Sequence, residues 1–451
     1  MKKPFQPTYF MTFSTLIISM IFGHGSACAW GIHPLLMKPA LSQMEEISLA
    51  PPLESIPLST FLTAVETDLE IILAKEEAWF RTHLDWYAPL PESLTFKATG
   101  DKETILSRFA HAIRVNPDVP FKRYLQKLPG ESLEGLKIIP VSTLTTLMNT
   151  NSWYAVTFVQ LSDGATASAL DIISTATDEP DFGMDVGLFE NNRTDFGSKY
   201  GFGNQPFGNP NLEYGSQAPF HMGFYHESPI IYLAAGFVKQ TYPEYRIRQC
   251  QTLARLAFRT GHEYWGWRFL GWGLHYLVDL MQPYHAALLP GYDIFKMLWI
   301  NTKASLRFPK DRDNAIQLVS NRHSVFEQFQ QEEMIQVFVR KNWQHPVIKT
   351  LTAKQFDIPV YHHRLPREVV AKNARLLSNH LDEALSKWAP GKFVSDPDFE
   401  FVDFEHQKEI VNIIRNEKGD IAVDALNQLI STILKDLLVY SQSYIRSVLN
   451  E

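Results

Sequence analysis

The chain has 451 residues, of which 45% are hydrophobic, 20% charged and 13% aromatic, and its formal net charge is -7. This composition excludes a disordered or collagen-like chain, and at about 150 residues per domain the length allows about three domains. The negative charge gives no basic surface for neutralising a polymer of phosphates. It therefore disfavours a nucleic-acid-binding module, but not an enzyme that uses cations on phosphate groups.

The N-terminal segment has the pattern of a targeting signal. Lys2 and Lys3 precede a mostly apolar run over 10–22, and the small residues Ala27-Cys28-Ala29 follow it. This predicts a signal peptide over 1–29, with cleavage after Ala29 and a secreted or periplasmic product. A lipoprotein signal at Cys28 is the alternative, and Gly25 disfavours it because such signals usually carry Leu at that position.

The predicted mature chain has no disulfide and no membrane span. Cleavage after residue 29 would leave Cys250 as its only cysteine. The apolar region 430–449 is interrupted by Lys435, Asp436 and Arg446, so it is not a transmembrane helix. The sequence therefore predicts a soluble or peripheral protein.

Apolar residues recur at three- and four-residue spacing along most of the chain, which predicts a mainly helical protein. The predicted helices cover 60–78, 103–115, 252–281, 367–388, 407–415 and 421–448. Segment 252–281 is apolar on nearly every face, which is typical of a buried helix or helix pair. We predict one domain over 30–390 and a C-terminal helical extension over 391–451, divided at Pro390-Gly391.

The composition changes over 178–220, a Gly-rich stretch that contains seven glycines and few helix-favouring residues. Long loops of this kind are usually functional. One interpretation is that its aromatic residues form a lip around a substrate, where an aromatic wall can hold a quaternary ammonium group by cation–π attraction. The alternative is that they simply pack, as aromatic residues in loops more often do. The aromatic residues concerned are Phe182, Phe189, Phe202, Phe207, Tyr214 and Phe220.

The buried segment 252–281 carries the first group of potential metal ligands. His275 and Asp279 are four residues apart, so both project from one helix face. Pro283 ends the helix and brings His285 back to the same neighbourhood. A carboxylate in such an apolar segment needs a cation nearby, which a metal ion or a protonated histidine would supply. A simple His–Asp pair in the core is the alternative.

A second pair, His323 and Glu327, has the same spacing. Its polar neighbours are also typical of a solvated helix face, which is the alternative interpretation. At the predicted new N-terminus, Trp30 would offer a free amine and its carbonyl oxygen to a metal, with His33 close behind. Signal cleavage would then complete a metal site.

These motifs resemble the bacterial zinc-dependent phospholipases C, which share a superfamily with single-strand-specific zinc nucleases. The matching segments are Trp30-Gly31-Ile32-His33, the run from Leu274 to Ala286, and His323-Ser324-Val325-Phe326-Glu327. The resemblance implies an all-α, multi-helix domain that binds about three zinc ions. The implied ligand sets are Trp30, His33 and a bridging Asp279; His275 and Asp279 with an upstream Asp and His; and His285, His323 and Glu327.

The upstream Asp and His are separated by the Gly-rich stretch. Asp178 or Asp181 is the expected acid, with Asp185 as an outside candidate, and His221 or His226 is the expected histidine. The resemblance also implies a catalytic role for Asp178 or Asp181, which would orient the attacking water or take its proton.

The implied activity is that of an exported phospholipase C acting on phospholipid at membrane surfaces, with peripheral membrane contact and no nucleic-acid partner. A zinc-activated water would split the glycerol-side phosphodiester of phosphatidylcholine or a related lipid, releasing diacylglycerol and a phosphorylated head group. Ala286 after His285, and Glu327 in place of Asp, resemble the lipase branch more than the nuclease branch. The alternatives are a zinc nuclease or phosphomonoesterase, and a non-catalytic, zinc-stabilised membrane-binding protein.

Overall fold

The computed structural model describes residues 30–354 and 357–450. The predicted signal peptide, 1–29, lies outside the described residues. Of these described residues, 60% are helical and 3% are in strands, which agrees with the helical class predicted from the sequence. Within the described ranges, no helix is both long enough and apolar enough to cross a membrane.

The helices follow one another along most of the chain. They are α1 (Pro34–Leu41), α2 (Glu45–Ser48), α3 (Leu58–Ala64), α4 (Glu66–His83), α5 (Ile105–Ala112), α6 (Ala169–Ala176), α7 (Glu213–His221), α8 (Pro229–Ala234), α9 (Pro243–Arg259), α10 (Glu263–Asp279), α11 (Pro283–Ala286), α12 (Ile294–Ser305), α13 (Lys310–Arg340), α14 (Pro346–Leu351), α15 (Lys372–Trp388), α16 (Gly391–Val394), α17 (Ile410–Lys418) and α18 (Asp420–Leu449).

In the part of the chain that the structure describes, five short strands form two small antiparallel sheets. The strands are β1 (Leu53–Glu54), β2 (Tyr124–Lys127), β3 (Ile138–Ile139), β4 (Thr157–Gln160) and β5 (Thr166–Ala167). Strand β1 pairs with β5, and the other sheet has the order β2-β4-β3, with Leu125 opposite Val159. The backbone N–H of Gln126 donates to Thr175 Oγ1 at 2.9 Å. This bond fixes the larger sheet against α6.

The predicted buried segment is a helix pair, α9 and α10, at the centre of the core. The pair turns at Gly261, whose φ of 75° favours glycine. Helix α10 packs mainly against α9 and α6. A Cβ at Gly271 would lie 2.5 Å from Ala176 Cβ and 2.7 Å from the Ile173 carbonyl oxygen. Gly271 therefore allows α6 to approach α10 closely.

The other predicted helices are present with different ends. Segment 60–78 is divided between α3 and α4 at Val65, and 103–115 shortens to α5. Segment 367–388 begins as a π-helical turn, Pro366–Ala371, before α15. Helix α18 packs on α9, α10, α14 and α15 within the main core. The domain boundary at residue 390 stays a prediction, but the residues on both sides of it share this core.

The predicted aromatic lip is wrong, because the aromatic side chains of the Gly-rich stretch point into the protein. Their exposed fractions are between 0% and 7%. Arg114 already lies over the Phe202 ring, with Cζ 4.2 Å from the centroid, and Arg246 lies 4.8 Å from the centroid of Phe220. Burial of these rings is favourable because it removes their apolar surface from water.

Candidate metal centre

The candidate ligands meet at the ends and faces of several helices. His33 stands just before α1, and the acidic turn with Asp178 and Asp181 follows α6 directly. His221 is the last residue of α7. Helices α10, α11 and α13 supply the later motifs, and all of these side chains are buried. Residues that are far apart in the sequence therefore share one interior site.

Trp30 connects the two helices that carry the His and acid pairs. It is fully buried, and its indole Nε1 donates to the Val278 carbonyl oxygen of α10 at 3.0 Å. Its ring lies edge-on to Phe326 of α13, with the centroids 5.8 Å apart. Because Val278 precedes Asp279 and Phe326 precedes Glu327, these contacts place Trp30 beside both ligand groups.

Asp279 is shared between histidines on its two carboxylate oxygens. Oδ1 lies 3.1 Å from His33 Nε2. Oδ2 lies 2.8 Å from His221 Nδ1 and 3.2 Å from His275 Nε2. The carboxylate of Asp279 therefore lies between His33 on one side and His221 with His275 on the other.

The outer contacts of the histidines decide which ring nitrogens can bind a metal. His275 Nδ1 lies 2.7 Å from the Thr177 carbonyl oxygen, so Nδ1 must donate and Nε2 is left with its lone pair. His221 Nε2 faces Asp185 Oδ2 at 3.4 Å, which favours the proton on Nε2 and the lone pair on Nδ1. Two imidazole lone pairs and a carboxylate oxygen then converge, an arrangement that needs a cation between them.

The two upstream acids have different surroundings. Both oxygens of Asp178 accept hydrogen bonds: Oδ1 from the His33 backbone N–H at 2.7 Å, and Oδ2 from Gln126 Nε2 at 2.7 Å and Trp153 Nε1 at 3.2 Å. The carboxylate of Asp178 is therefore satisfied by protein donors, and it holds His33 in place.

Asp181 faces three histidines, whereas Asp178 faces only the His33 ring, with Oδ1 3.3 Å from Nδ1. Its Oδ1 lies 3.8 Å from His221 Nδ1 and 3.7 Å from His275 Nε2, and its Oδ2 lies 3.9 Å from His33 Nδ1. The bond from Gln217 Nε2 to Oδ1 is 3.3 Å long. These distances leave room for an ion among the groups, so Asp181 is the better placed ligand of the two acids.

Asp185, the outside candidate, faces the His221 nitrogen that does not face Asp279. Arg246 donates to its Oδ1 through two nitrogens, at 2.9 and 2.6 Å, and the Tyr276 hydroxyl donates to Oδ2 at 2.6 Å. Because Oδ2 also faces His221, Asp185 orients that imidazole. Sequence reasoning missed Arg246 and Tyr276, although Tyr276 stands next to His275 in the motif.

His221 is the upstream histidine that joins the cluster, and His226 is not. The His226 Nε2 atom lies 2.7 Å from the Arg367 carbonyl oxygen, and the residue is only half-buried. Three residue groups in the described chain could hold a metal, and His226 belongs to none of them. They are His33, Asp181 and His275; His221, His275 and Asp279; and His285, His323 and Glu327.

The third group, His285, His323 and Glu327, is also buried. His285 Nδ1 lies 3.0 Å from the His221 carbonyl oxygen, so its Nε2 carries the lone pair, 3.9 Å from Glu327 Oε1. The same oxygen lies 2.5 Å from His323 Nε2. Burial, aided by the charge of His323, lowers the pKa of His285 well below its usual value, and burial raises the pKa of Glu327.

These groups fit a metal because their buried imidazole nitrogens face carboxylates of the cluster or have no partner. His285 Nε2 is buried without a hydrogen-bond partner among the described residues, which costs about 1–3 kcal/mol. His33 Nδ1 and His323 Nε2 lie beside carboxylates, Asp178 Oδ1 at 3.3 Å and Glu327 Oε1 at 2.5 Å. The mixture of imidazole nitrogens and carboxylate oxygens is typical of zinc and similar transition metals.

In the metal-free chain, protons bound to histidines supply the positive charge of the cluster. Burial lowers the pKa of His33, but hydrogen bonds to Asp178 and Asp279 outweigh it and raise the value to about 10. For His221, burial is likewise outweighed by hydrogen bonds to Asp185 and Asp279, which raise the pKa to about 10. Metal binding to these nitrogens must therefore release protons.

The pKa values of Asp181 and Asp279 are shifted in opposite directions. Burial raises the pKa of Asp181 more than the neighbouring histidines lower it. Burial also acts to raise the pKa of Asp279, but His275 and the hydrogen bonds from the three histidines hold it well below its usual value. Asp279 is therefore the permanent anion of the cluster, whereas Asp181 can exchange a proton.

A polar cleft with a volume of about 420 Å³ reaches the third group. Gly31 and Glu327 line its inner end, and Tyr154 and residues of the C-terminal segment line its walls. Lys408 Nζ lies 3.7 Å from the centroid of the Tyr154 ring. The cleft thus reaches the candidate centre at Glu327 of the third group.

The chain matches no protein-family model, no curated protein and no solved structure.

Proposed function

We propose that this protein is an exported, zinc-dependent phospholipase C with the fold of that family, acting on the glycerol-side phosphodiester of phosphatidylcholine or a related phospholipid. The observation that carries the proposal is the carboxylate of Asp279, which is shared between His33 on one side and His221 with His275 on the other. A bridging carboxylate beside a third ligand group is the arrangement expected of a polynuclear hydrolase.

The proposed ligand sets are those that the resemblance implies, with Asp181 and His221 chosen as the upstream acid and histidine from the contacts described above. Trp30 and His33 with Asp279 would hold one ion; Asp181, His221 and His275 with Asp279 a second; and His285, His323 and Glu327 the third. Bound zinc would supply a water that ionises near neutral pH and a positive clamp on the phosphodiester oxygens. A free α-amine at Trp30 requires cleavage after Ala29, which is part of this proposal.

Asp181 and Asp178 have different roles in the proposed reaction. Asp181 is placed to accept the proton of the attacking water, because burial raises its pKa and its oxygens face the ligand histidines. Asp178 is a positioning residue, since its carboxylate binds the His33 backbone and is satisfied by Gln126 and Trp153.

The cleft favours a phospholipid over a nucleic acid. Its lining includes Glu327, Asp403 and Glu405 but only one cationic side chain, Lys408. A single strand carries a negative charge on every nucleotide and is bound through cationic grooves. A zwitterionic head group needs only one phosphate to be neutralised and gains from nearby carboxylates through its ammonium group.

The experiment that tests the proposal compares two substrates. Processed, zinc-loaded protein is incubated with short-chain phosphatidylcholine and with single-stranded DNA, and the products are identified by mass spectrometry. Diacylglycerol and phosphocholine are expected from the lipid, and no nucleotides from the DNA. Nucleotide release without lipid cleavage would support the nuclease alternative, and the lack of both products would support a non-catalytic protein.

A further inference from the structure

Helix α12 is apolar on two opposite faces, although a surface helix needs only one. Met297, Ile300 and Ala304 are buried against the protein. Phe295 and Trp299 lie on the opposite side of the helix and are 84% and 60% exposed. At about 100° per residue the two sets are separated by roughly half a turn. The outer face therefore serves a purpose other than packing within the chain.

The exposed face continues onto neighbouring segments. Helix α8 packs against α12 and carries two exposed aliphatic side chains, and the turn after α12 carries two more apolar residues. Together they form the α8–α12 patch, made of Ile230, Leu233, Phe295, Trp299, Leu306 and Phe308. Exposed apolar groups of this size mark interaction surfaces. An apolar cleft of about 90 Å³ lies between the two helices.

Cations outnumber acids in the segment that carries most of the patch: residues 293–313 contain Lys296, Lys303, Arg307, Lys310 and Arg312 against Asp293, Asp311 and Asp313. Lys303 is paired with Asp311 at 2.6 Å, so its charge is neutralised locally. Lys296, Arg307 and Lys310 are exposed, and in the described part of the chain none of them forms an ion pair. Exposed cations close in sequence to exposed aromatic and aliphatic groups are complementary to a lipid surface that carries negative head groups.

We propose that the α8–α12 patch is a membrane-docking surface that inserts its aromatic and aliphatic side chains into the interface of a bilayer containing anionic lipids. The contact is peripheral. Trp299 and Phe295 supply the apolar contact, and the exposed cations Lys296, Arg307 and Lys310 bind the lipid phosphates. This inference rests on the surface alone and does not require the proposed catalysis.

The patch also adjoins the metal centre along the chain. Helix α12 begins nine residues after His285, and α13, which packs against α12, carries His323 and Glu327. At 1.5 Å per residue, the start of α13 at Lys310 lies about 20 Å from His323. Docking through the patch would thus place the start of α13, the helix that carries His323 and Glu327, next to the lipid surface.

The test measures binding separately from hydrolysis. Zinc-loaded protein is sedimented with phosphatidylcholine vesicles containing about one third phosphatidylglycerol. The double variant Phe295→Ser, Trp299→Ser is expected to bind about tenfold or more weakly. The matched control is Val360→Ser with Leu376→Ser, which removes apolar side chains that are 89% and 71% exposed elsewhere. The control is expected to bind as the unmodified protein does.

Two further measurements keep the docking surface and the proposed activity apart. Cleavage of monomeric short-chain phosphatidylcholine should be unchanged in the Phe295→Ser, Trp299→Ser variant, while cleavage of vesicles falls. Vesicle binding without hydrolysis would support the surface and overturn the proposed activity. Equal vesicle binding by the double variant would overturn the docking surface, as would a dimer in sedimentation velocity that the double variant abolishes without any vesicle binding by the unmodified protein.

Discussion

His275 Nε2 lies 3.0 Å from His221 Nδ1 in the buried centre. Each histidine has its other nitrogen directed at an acceptor, the Thr177 carbonyl oxygen for His275 and the Asp185 carboxylate for His221. Two neutral imidazoles in these tautomers would point lone pairs at each other, so a proton or a metal ion has to lie between them. Several outcomes follow from this arrangement.

Replacing the shared carboxylate should disrupt two of the proposed metal sites together. Asp279→Asn removes a charge that three histidines face, so we expect loss of at least one bound metal per chain and a fall in hydrolysis of about 10³-fold or more. Metal content is measured by plasma mass spectrometry after dialysis. Asp195→Asn changes an exposed carboxylate and serves as the control. Full metal content in Asp279→Asn would contradict the bridging role.

A free amine at Trp30 is the second requirement. One extra residue ahead of Trp30 converts the amine to an amide, which is a poor ligand, so we expect one metal fewer and loss of most activity. Folding should persist, because the indole still bonds to the Val278 carbonyl oxygen. The measurements are metal stoichiometry and the thermal midpoint. An extended chain with normal stoichiometry and activity would rule out the amine ligand.

Tyr276, which holds Asp185 against His221, should affect the affinity for metal without contacting the substrate. Tyr276→Phe removes the hydroxyl that donates to Asp185 Oδ2 at 2.6 Å. We expect metal affinity to fall by about 10–100-fold, because such outer contacts orient the ligand. The loss of stability should be about 1 kcal/mol. Competition with a chelator measures the affinity, and Tyr154→Phe, outside this network, is the comparison. Unchanged metal affinity would show that the hydrogen bond from Tyr276 to Asp185 does not contribute to metal binding.

The close approach of α6 and α10 should tolerate no added side chain. Gly271→Val introduces a Cβ 2.5 Å from Ala176 Cβ, so we expect destabilisation of about 1–3 kcal/mol. Because α6 leads into Asp178 and Asp181, metal binding should weaken as well. Gly391→Ala, where no atom lies within 4 Å of the new Cβ, should be neutral. Denaturant unfolding measures both, and equal stability of the two variants would contradict the packing argument.

The metal-free chain should lose stability as the pH rises. The pKa values of His33 and His221 are raised from 6.5 to about 10 in the folded chain, so the folded state holds protons that the unfolded state releases. Their contribution is complete below about pH 6.5 and is lost as the pH rises toward about 10. We expect the thermal midpoint of chelated protein to fall between pH 7 and pH 9. Zinc-loaded protein should show a smaller fall, and identical slopes would argue that no metal replaces these protons.

Periodicity and spacing alone predicted much of the scaffold. The three-and-four spacing of apolar residues indicated the helices because a helix must bury one face, and the apolar surroundings of His275 and Asp279 indicated a buried pair. The same logic could not find the helix breaks at Val65 and Gly261, since local backbone geometry and packing set them. The aromatic residues of the Gly-rich stretch were misjudged because loop composition does not reveal which way a side chain points.

The sequence by itself determined the helical character and the residues available as ligands, because helical spacing and residue chemistry are local properties. Only the tertiary structure distinguished Asp181 from Asp178 and His221 from His226. Those choices depend on which donors arrive from distant elements: Gln126 and Trp153 satisfy Asp178, and the Arg367 carbonyl oxygen lies against His226. Such contacts form between segments far apart in the chain, so no local pattern contains them.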